Sequence, residues 1–304
     1  MIEFTQNVVN ALSLGSLLAL TALGIGLLFG VLRLINFAHG DFITVGAFAL
    51  IVPSAADTPT LFIGGWHWTA VVLSVCAILV FVALTTDWLV FRHLRKADAP
   101  TMMMASFAIG HVIQYVILAI YTGRPKGVNL WPSLSNQVSI GAVSVPSNNL
   151  VIIGVTFALV LILMLFLNRT SIGIQMRAAA EDFRMAQYLG VRGNFVIGLA
   201  FAISGILAAL TALFYVSQTG GLSYTMGDQL MLLGFMATVI GGMTSLVGAV
   251  IGGFFVGFVD VMFQAYLPPD LRSFRDAFVF GIVLLMIVVR PDGLFPSRTL
   301  VTRI

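Results

Sequence analysis

Asn36-Phe37-Ala38-His39-Gly40-Asp41 is a polar island set between two hydrophobic runs. Histidine and aspartate are expensive at membrane depth and stay there only when buried in protein or facing a water-filled cavity. A glycine beside them permits a helix break, which lipid tolerates only where packed protein or such a cavity covers the freed backbone. The island therefore reads either as a break on a substrate path or as a short loop between two spanning segments.

The residues around the island decide the class of the chain. Of 304 residues, 59% are hydrophobic and 9% charged, against roughly half and a quarter in ordinary globular domains. Mean hydropathy is +1.05. These values predict an all-α fold, a polytopic integral membrane helix bundle of about eight or nine spanning segments with broken helices. A single transmembrane domain over 1–304 is expected. The net charge of +3 does not point to nucleic acid. Cys76 is the only cysteine, which excludes an intrachain disulfide and a cysteine-built metal site. Met1 to Asn7 carry Glu3 and no Lys or Arg, unlike the basic start of a secretory signal. The following run, Val8 to Gly30, is too long for a signal core and fits a retained span.

Nine hydrophobic segments are expected, near 8–30, 37–53, 68–91, 102–121, 148–167, 194–217, 228–242, 247–266 and 276–290. The second, seventh and ninth are short for a full span and suit tilted or half-crossing helices. If all nine cross, Arg33, Arg92, Arg95, Lys96, Arg169, Arg177, Arg184, Arg192, Arg290, Arg298 and Arg303 share one side. Only Arg124, Lys126, Arg272 and Arg275 fall on the other. The positive-inside rule then puts the larger set in the cytoplasm, with the amino terminus outside. Failure of the second segment to cross would move the amino terminus inside. Residues 122–147, with Trp131 and three prolines, read as a structured outer loop.

No G-x-x-x-x-G-K-[ST] motif occurs, and neither lysine follows a glycine, so no phosphate-cradling loop of that type exists. No Ser/His/Asp set, His-x-x-x-His pair or cysteine cluster stands in a suitable context. Covalent chemistry, a bound metal and a cofactor in this chain are therefore not expected.

Arg177-Ala178-Ala179-Ala180-Glu181-Asp182-Phe183-Arg184-Met185-Ala186-Gln187-Tyr188-Leu189-Gly190 is rich in helix formers and lacks proline. Read as one helix, it puts Arg177, Glu181, Arg184 and Tyr188 on one face and Ala178, Met185 and Leu189 on another. Gly190 would end it. A helix polar on one face and small elsewhere suits docking into a groove of a soluble partner, rather than lying on lipid. Embedded polar pairs also stand out. His111 and Gln114 lie three apart, Asp260 and Gln264 four apart, and each pair would share a helical face. Asp87 is expected to be neutralised by Arg92. These groups suit a pathway or plain interhelical hydrogen bonding. Gly15, Gly24, Gly26 and Gly30 suit close helix packing. Gly241-Gly242 marks a second break, and interrupted segments point to substrate sites in repeat-built transporters.

Together these motifs resemble a known family. Leu34 to Phe42 with Val45-Gly46-Ala47 is similar to the amino-terminal signature of LivH-type permeases, membrane subunits of branched-chain amino acid ABC importers. Arg177 to Gly190 is similar to their coupling segment, although it lacks the E-A-A spelling of the wider importer superfamily. Gly241 to Ser245 with Gly248 to Gly253 is similar to their glycine-rich block, and Val289 to Phe295 to their carboxyl-terminal ending. The resemblance covers the whole chain. It implies a LivM-like second permease, two ATP-binding subunits that carry ATP and Mg, and a periplasmic substrate-binding protein. It implies ATPase-coupling roles for Arg177, Glu181, Asp182, Arg184, Tyr188 and Gly190. Pathway or gating roles are expected for Asn36, His39, Gly40, Asp41, His111, Gln114, Gly241 and Gly242. Location in the bacterial inner membrane follows. Relatives of the same kind carry urea, short amides or aromatic acids, so the cargo is left open. A stand-alone channel would need no coupling segment, and a secondary transporter would show more embedded carboxylates.

Overall fold

The computed structural model describes residues 2–54, 56–95, 97–140, 143–290 and 293–295. Lys96, Pro291, Asp292, Arg298 and Arg303 lie outside them. The helices are α1 (Ile2–Leu32), α2 (His39–Phe48), α3 (Trp68–Leu94), α4 (Ala99–Tyr121), α5 (Ser147–Arg169), α6 (Ser171–Glu181), α7 (Phe183–Tyr188), α8 (Gly193–Thr219), α9 (Met226–Gly241), α10 (Leu246–Tyr266) and α11 (Arg275–Val289). The fold is all-α and polytopic. Each expected apolar segment is a helix, and α6 and α7 fill the basic stretch before Gly190. Among the described residues, six helices are long and apolar enough to cross a membrane: α1, α3, α4, α5, α8 and α10. The three segments that read as short are α2, α9 and α11. At 1.5 Å per residue, the ten residues of α2 span about 15 Å, half of a hydrocarbon core.

The chain divides into two compact units. One comprises 1–26, 131–163 and 232–304. Here small residues let backbones touch. A Cβ on Gly257 would meet the backbone of Gly15 at 2.5 Å, and one on Gly253 that of Ala19 at 2.5 Å. The α9–α10 hairpin is as tight, with Gly241 against Gly248 and Gly252 against Ala237. Packing of this kind drives helix association where lipid removes the hydrophobic incentive. Gly242, at φ +101°, makes the turn that a side chain would strain. Ser245 caps α10 by accepting from the Gly248 amide at 3.1 Å. The carboxyl-terminal motif closes on this turn: the amides of Leu294 and Phe295 donate to the carbonyls of Ile240 and Gly241 at 2.8 and 3.2 Å. Asp260 on α10 pairs with Arg275 of α11 at 3.1 Å. Asp260 and Gln264 stand four apart on the continuous α10, the first buried and the second exposed. A β-hairpin, Gln137–Ile140 with Val143–Pro146, gives order to the loop before α5.

The other unit comprises 27–130 and 164–231. Its centre is α2, in which every residue but Val45 is buried. Gly46 lies against Leu79 of α3 and Ala212 of α8, and Gly205 of α8 against the Leu79 carbonyl at 2.8 Å. Burial on all sides explains how ten residues carrying His39, Asp41 and Thr44 persist in an apolar fold. At one end of the unit, Arg33 Nη2 donates to the Ala180 carbonyl of α6 at 3.0 Å. At the other, buried Lys126 donates to the carbonyls of Ser54 and Ala56 at 2.5 and 2.9 Å, and Lys126–Gly127 pairs with Gly221–Leu222. Asp87 is neutralised by Arg95, with both oxygens at 2.9 Å, and not by Arg92, which is exposed. The Asp87–Phe91 turn is π-helical and the helix ends at Leu94, so Arg95 comes back to Asp87 from beyond the helix end.

Candidate functional site

The chain leaves α1 at Leu32 and enters α2 at His39 through a break that its own polar groups hold. Arg33 takes φ +54°. Asn36 Oδ1 accepts from the Ala38 amide at 3.2 Å, and the Asn36 carbonyl accepts from the His39 amide at 3.3 Å. Ser106 Oγ of α4 accepts from the Phe37 amide at 3.2 Å, and Phe37 stacks on Phe107 at 4.1 Å. His39 Nδ1 lies 3.0 Å from Ser204 Oγ of α8. Three buried polar atoms of this one segment, Asn36 Nδ2, His39 Nε2 and Asp41 Oδ1, have no hydrogen-bond partner among the described residues. Left unmet, each such group costs about 1–3 kcal/mol, so the segment is held at some expense.

Asp41 belongs to a polar cluster. Its Oδ2 occupies the space a side chain at Gly110 would fill, so the carboxylate lies against α4. One turn further along α4, Gln114 Nε2 donates to Asp228 Oδ1 at 2.7 Å. His111 Nδ1 is bonded to the Phe107 carbonyl at 3.0 Å. Asp228 arrives because the first turn of α9 lies backbone to backbone on α2. A Cβ on Gly40 would meet the Gly227 carbonyl carbon at 2.9 Å, and the Gly227 amide donates to Thr44 Oγ1 at 3.2 Å. Two roles suit an aspartate at this place, part of a gate or a cap on the exposed start of a helix. Asp41 is 4% exposed, and the α2 terminus has no side-chain cap. The cause is the packing of α3, α8 and α9 around a helix too short to reach solvent.

The expected coupling helix is two helices. Asp182 takes φ −143° and ψ 103°, ending α6 and capping α7 through a bond from the Met185 amide at 2.9 Å. Arg177 and Glu181 therefore stand on α6, and Arg184 and Tyr188 on α7, so no single face carries all four. All four are exposed, as is Asp182. Tyr188 is 84% and Leu189 79% exposed. Gly190, at φ +91°, ends the segment as its type suggests. The structure brings Asn36, His39, Gly40, Asp41, His111 and Gln114 together in one unit. Gly241 and Gly242 form the α9–α10 turn of the other.

Residues 7–288 match the family described as the permease component of branched-chain amino acid transport systems. This chain belongs to that family. The permease is 28% identical to the high-affinity branched-chain amino acid transport system permease protein BraD of Pseudomonas aeruginosa, over 96% of this chain and 95% of that one. It is 30% identical to LivH of Escherichia coli K12, with the same coverage. A probable LivH of the archaeon Methanocaldococcus jannaschii is 26% identical over 92% of this chain and 87% of its own. Six spanning-length helices and this kinship make the permease a multi-pass protein of the bacterial inner membrane. Sequence reading missed Ser106, Ser204 and Asp228 of the permease. The first two are small polar residues in apolar helices and carry no signal alone. Asp228 opens an apolar segment three residues after Thr225, where an acid reads as an ordinary helix start.

Proposed function

We propose that this permease imports branched-chain amino acids by alternating access, along a path it forms with a LivM-like second permease. Two ATP-binding subunits, carrying ATP and Mg, supply the energy, and a periplasmic binding protein delivers the substrate. The family match over 7–288 carries the reading. The segment from Arg177 to Gly190 docks with an ATP-binding subunit on the cytoplasmic side, in a transmembrane permease domain that is single in function. Its exposed Arg177, Glu181, Asp182, Arg184 and Tyr188, ended at Gly190, support this. Asn36, His39, Gly40, Asp41, His111 and Gln114 serve the path or its gate, and Gly241–Gly242 serves as the second break. The sequence holds no phosphate-cradling motif of the G-x-x-x-x-G-K-[ST] type, in keeping with hydrolysis by other chains. Purified alone, the permease is expected to hydrolyse no ATP. Reconstituted with its partners, it is expected to carry leucine only when ATP is hydrolysed. Hydrolysis by the clean single chain, or leucine uptake without ATP, would overturn the reading.

A further inference from the structure

The embedded carboxylates of this chain differ in how their charge is met. Asp87 has Arg95 and Asp260 has Arg275. Asp41 and Asp228 form no ion pair among the described residues. Gln114 of α4, whose amide donates to Asp228 at 2.7 Å, stands one turn along from Gly110, against which Asp41 lies. Asp41 Oδ1, in a residue 4% exposed, has no hydrogen-bond partner among the described residues. Gly110 leaves the space that lets this carboxylate lie on α4 beside the pair. Two adjacent carboxylates repel, and a glutamine supplies no compensating charge. His111, near the middle of the 23-residue α4, and Asp228 are both exposed. Exposed ionisable groups at membrane depth face an aqueous path or protein, not lipid.

We propose that Asp41, Gln114 and Asp228 form a station on the transport path that takes the primary ammonium group of the substrate. The inference rests on the import reading above. An ammonium brings one positive charge and three N–H donors. The site offers two carboxylates and an amide oxygen, all acceptors, on three elements. A small metal ion would want six or more oxygens, or near-octahedral geometry, which three side chains do not supply. Carboxylates also bind the ammonium through charge-assisted bonds, which are stronger than neutral ones.

The test uses the whole transporter, with Cys76→Ala removing the native thiol and His111→Cys placing a reporter on the α4 face beside the pair. Water-soluble thiosulfonate reagents of opposite charge are applied to the assembled complex. The cationic reagent is expected to react about tenfold faster than the anionic one, from the local potential of two carboxylates. That preference is expected to vanish with Asp41→Asn and Asp228→Asn together, and leucine is expected to slow the reaction during turnover. Should the double variant not assemble, Asp228→Asn alone, at an exposed position, is expected to reduce the preference. No reaction with either reagent would mean a lipid-facing surface and overturn the proposal. Equal rates, or a preference that survives the asparagines, would overturn it too. So would labelling indifferent to leucine in a complex that carries leucine. A Cys76→Ala complex with His111 intact that carries no leucine would overturn the import reading instead, and the charge preference with its loss in the variants would still decide the cation site.

Discussion

Asp260 shows what an embedded carboxylate of this chain does when it is structural. It is buried on α10 and paired with Arg275 at the start of α11, which the Pro269–Phe274 turn brings back to it. Removing one partner of a buried pair leaves an uncompensated charge, whereas removing both does not. Arg275→Gln is therefore expected to lower the apparent melting temperature of the detergent-solubilised chain. Asp260→Asn in that background is expected to restore part of the loss, with a coupling of about 0.5–3 kcal/mol by double-mutant cycle. Additive effects would show that the pair is not an energetic unit. Asp41, Asp87 and Asp260 were visible in sequence as anomalies in apolar runs, but their partners were not. Asp87 takes Arg95 and not the nearer Arg92, across a π-helical turn at Asp87–Phe91 that α-helical periodicity does not signal. Asp228 joins Asp41 only because Gly40 and Gly227 let α2 and α9 touch, a contact between distant stretches that local pattern does not encode.

The coupling segment illustrates how far helical periodicity carries. Composition and spacing marked a helical region between Arg177 and Gly190, and both Gly190 as terminator and the high helix content are found. The break at Asp182 was missed. Its signal was present, since aspartate is a preferred N-cap, but an unbroken run of good helix formers outvoted it. The break matters for docking because α6 keeps Met176 and Ala179 buried in its unit while α7 holds Met185, Tyr188 and Leu189 outward. An exposed aromatic and two exposed aliphatic side chains flanked by Arg184 and Glu181 suit a protein groove, with the charges setting orientation. Exchanging the charges, Glu181→Arg with Arg184→Glu, places like charges against a complementary surface, at a cost of several kcal/mol. Copurification of the ATP-binding subunit and substrate-stimulated hydrolysis are expected to fall, while membrane insertion, read by the yield of monodisperse chain, is unchanged. Normal coupling would mean that the segment lies on lipid.

The number of crossings turns on α2, whose ten residues are too few to span alone. Two contacts decide what its surroundings do. Arg33, before α2, bonds the carbonyl of Ala180 in the coupling segment, and Ser54 and Ala56, after it, hold Lys126 beyond the far end of α4. Within this unit α4 and α8 finish at that same far end, where Lys126–Gly127 pairs with Gly221–Leu222. The stretch from 33 to 56 thus passes from the coupling end to the opposite end, as loop, half-length helix and loop. The half-length helix within it is tolerated because α2 is buried in protein. Lys126, moreover, is buried and its charge is met by carbonyls, so it is not a free loop charge of the kind that opposes the positive-inside bias. The hydropathy pattern made the segment visible, whereas the contacts at its two ends come from distant parts of the chain. Should all nine helices cross, the amino terminus would lie outside and Arg177–Gly190 in the cytoplasm. In a Cys76→Ala background, Glu3→Cys is expected to react with an impermeant thiol reagent on intact spheroplasts, and Tyr188→Cys only after permeabilisation. Both positions are exposed on the chain, so burial in its own fold does not confuse the result. Reaction of the two cysteines from the same side would remove one crossing and return α2 to a re-entrant element.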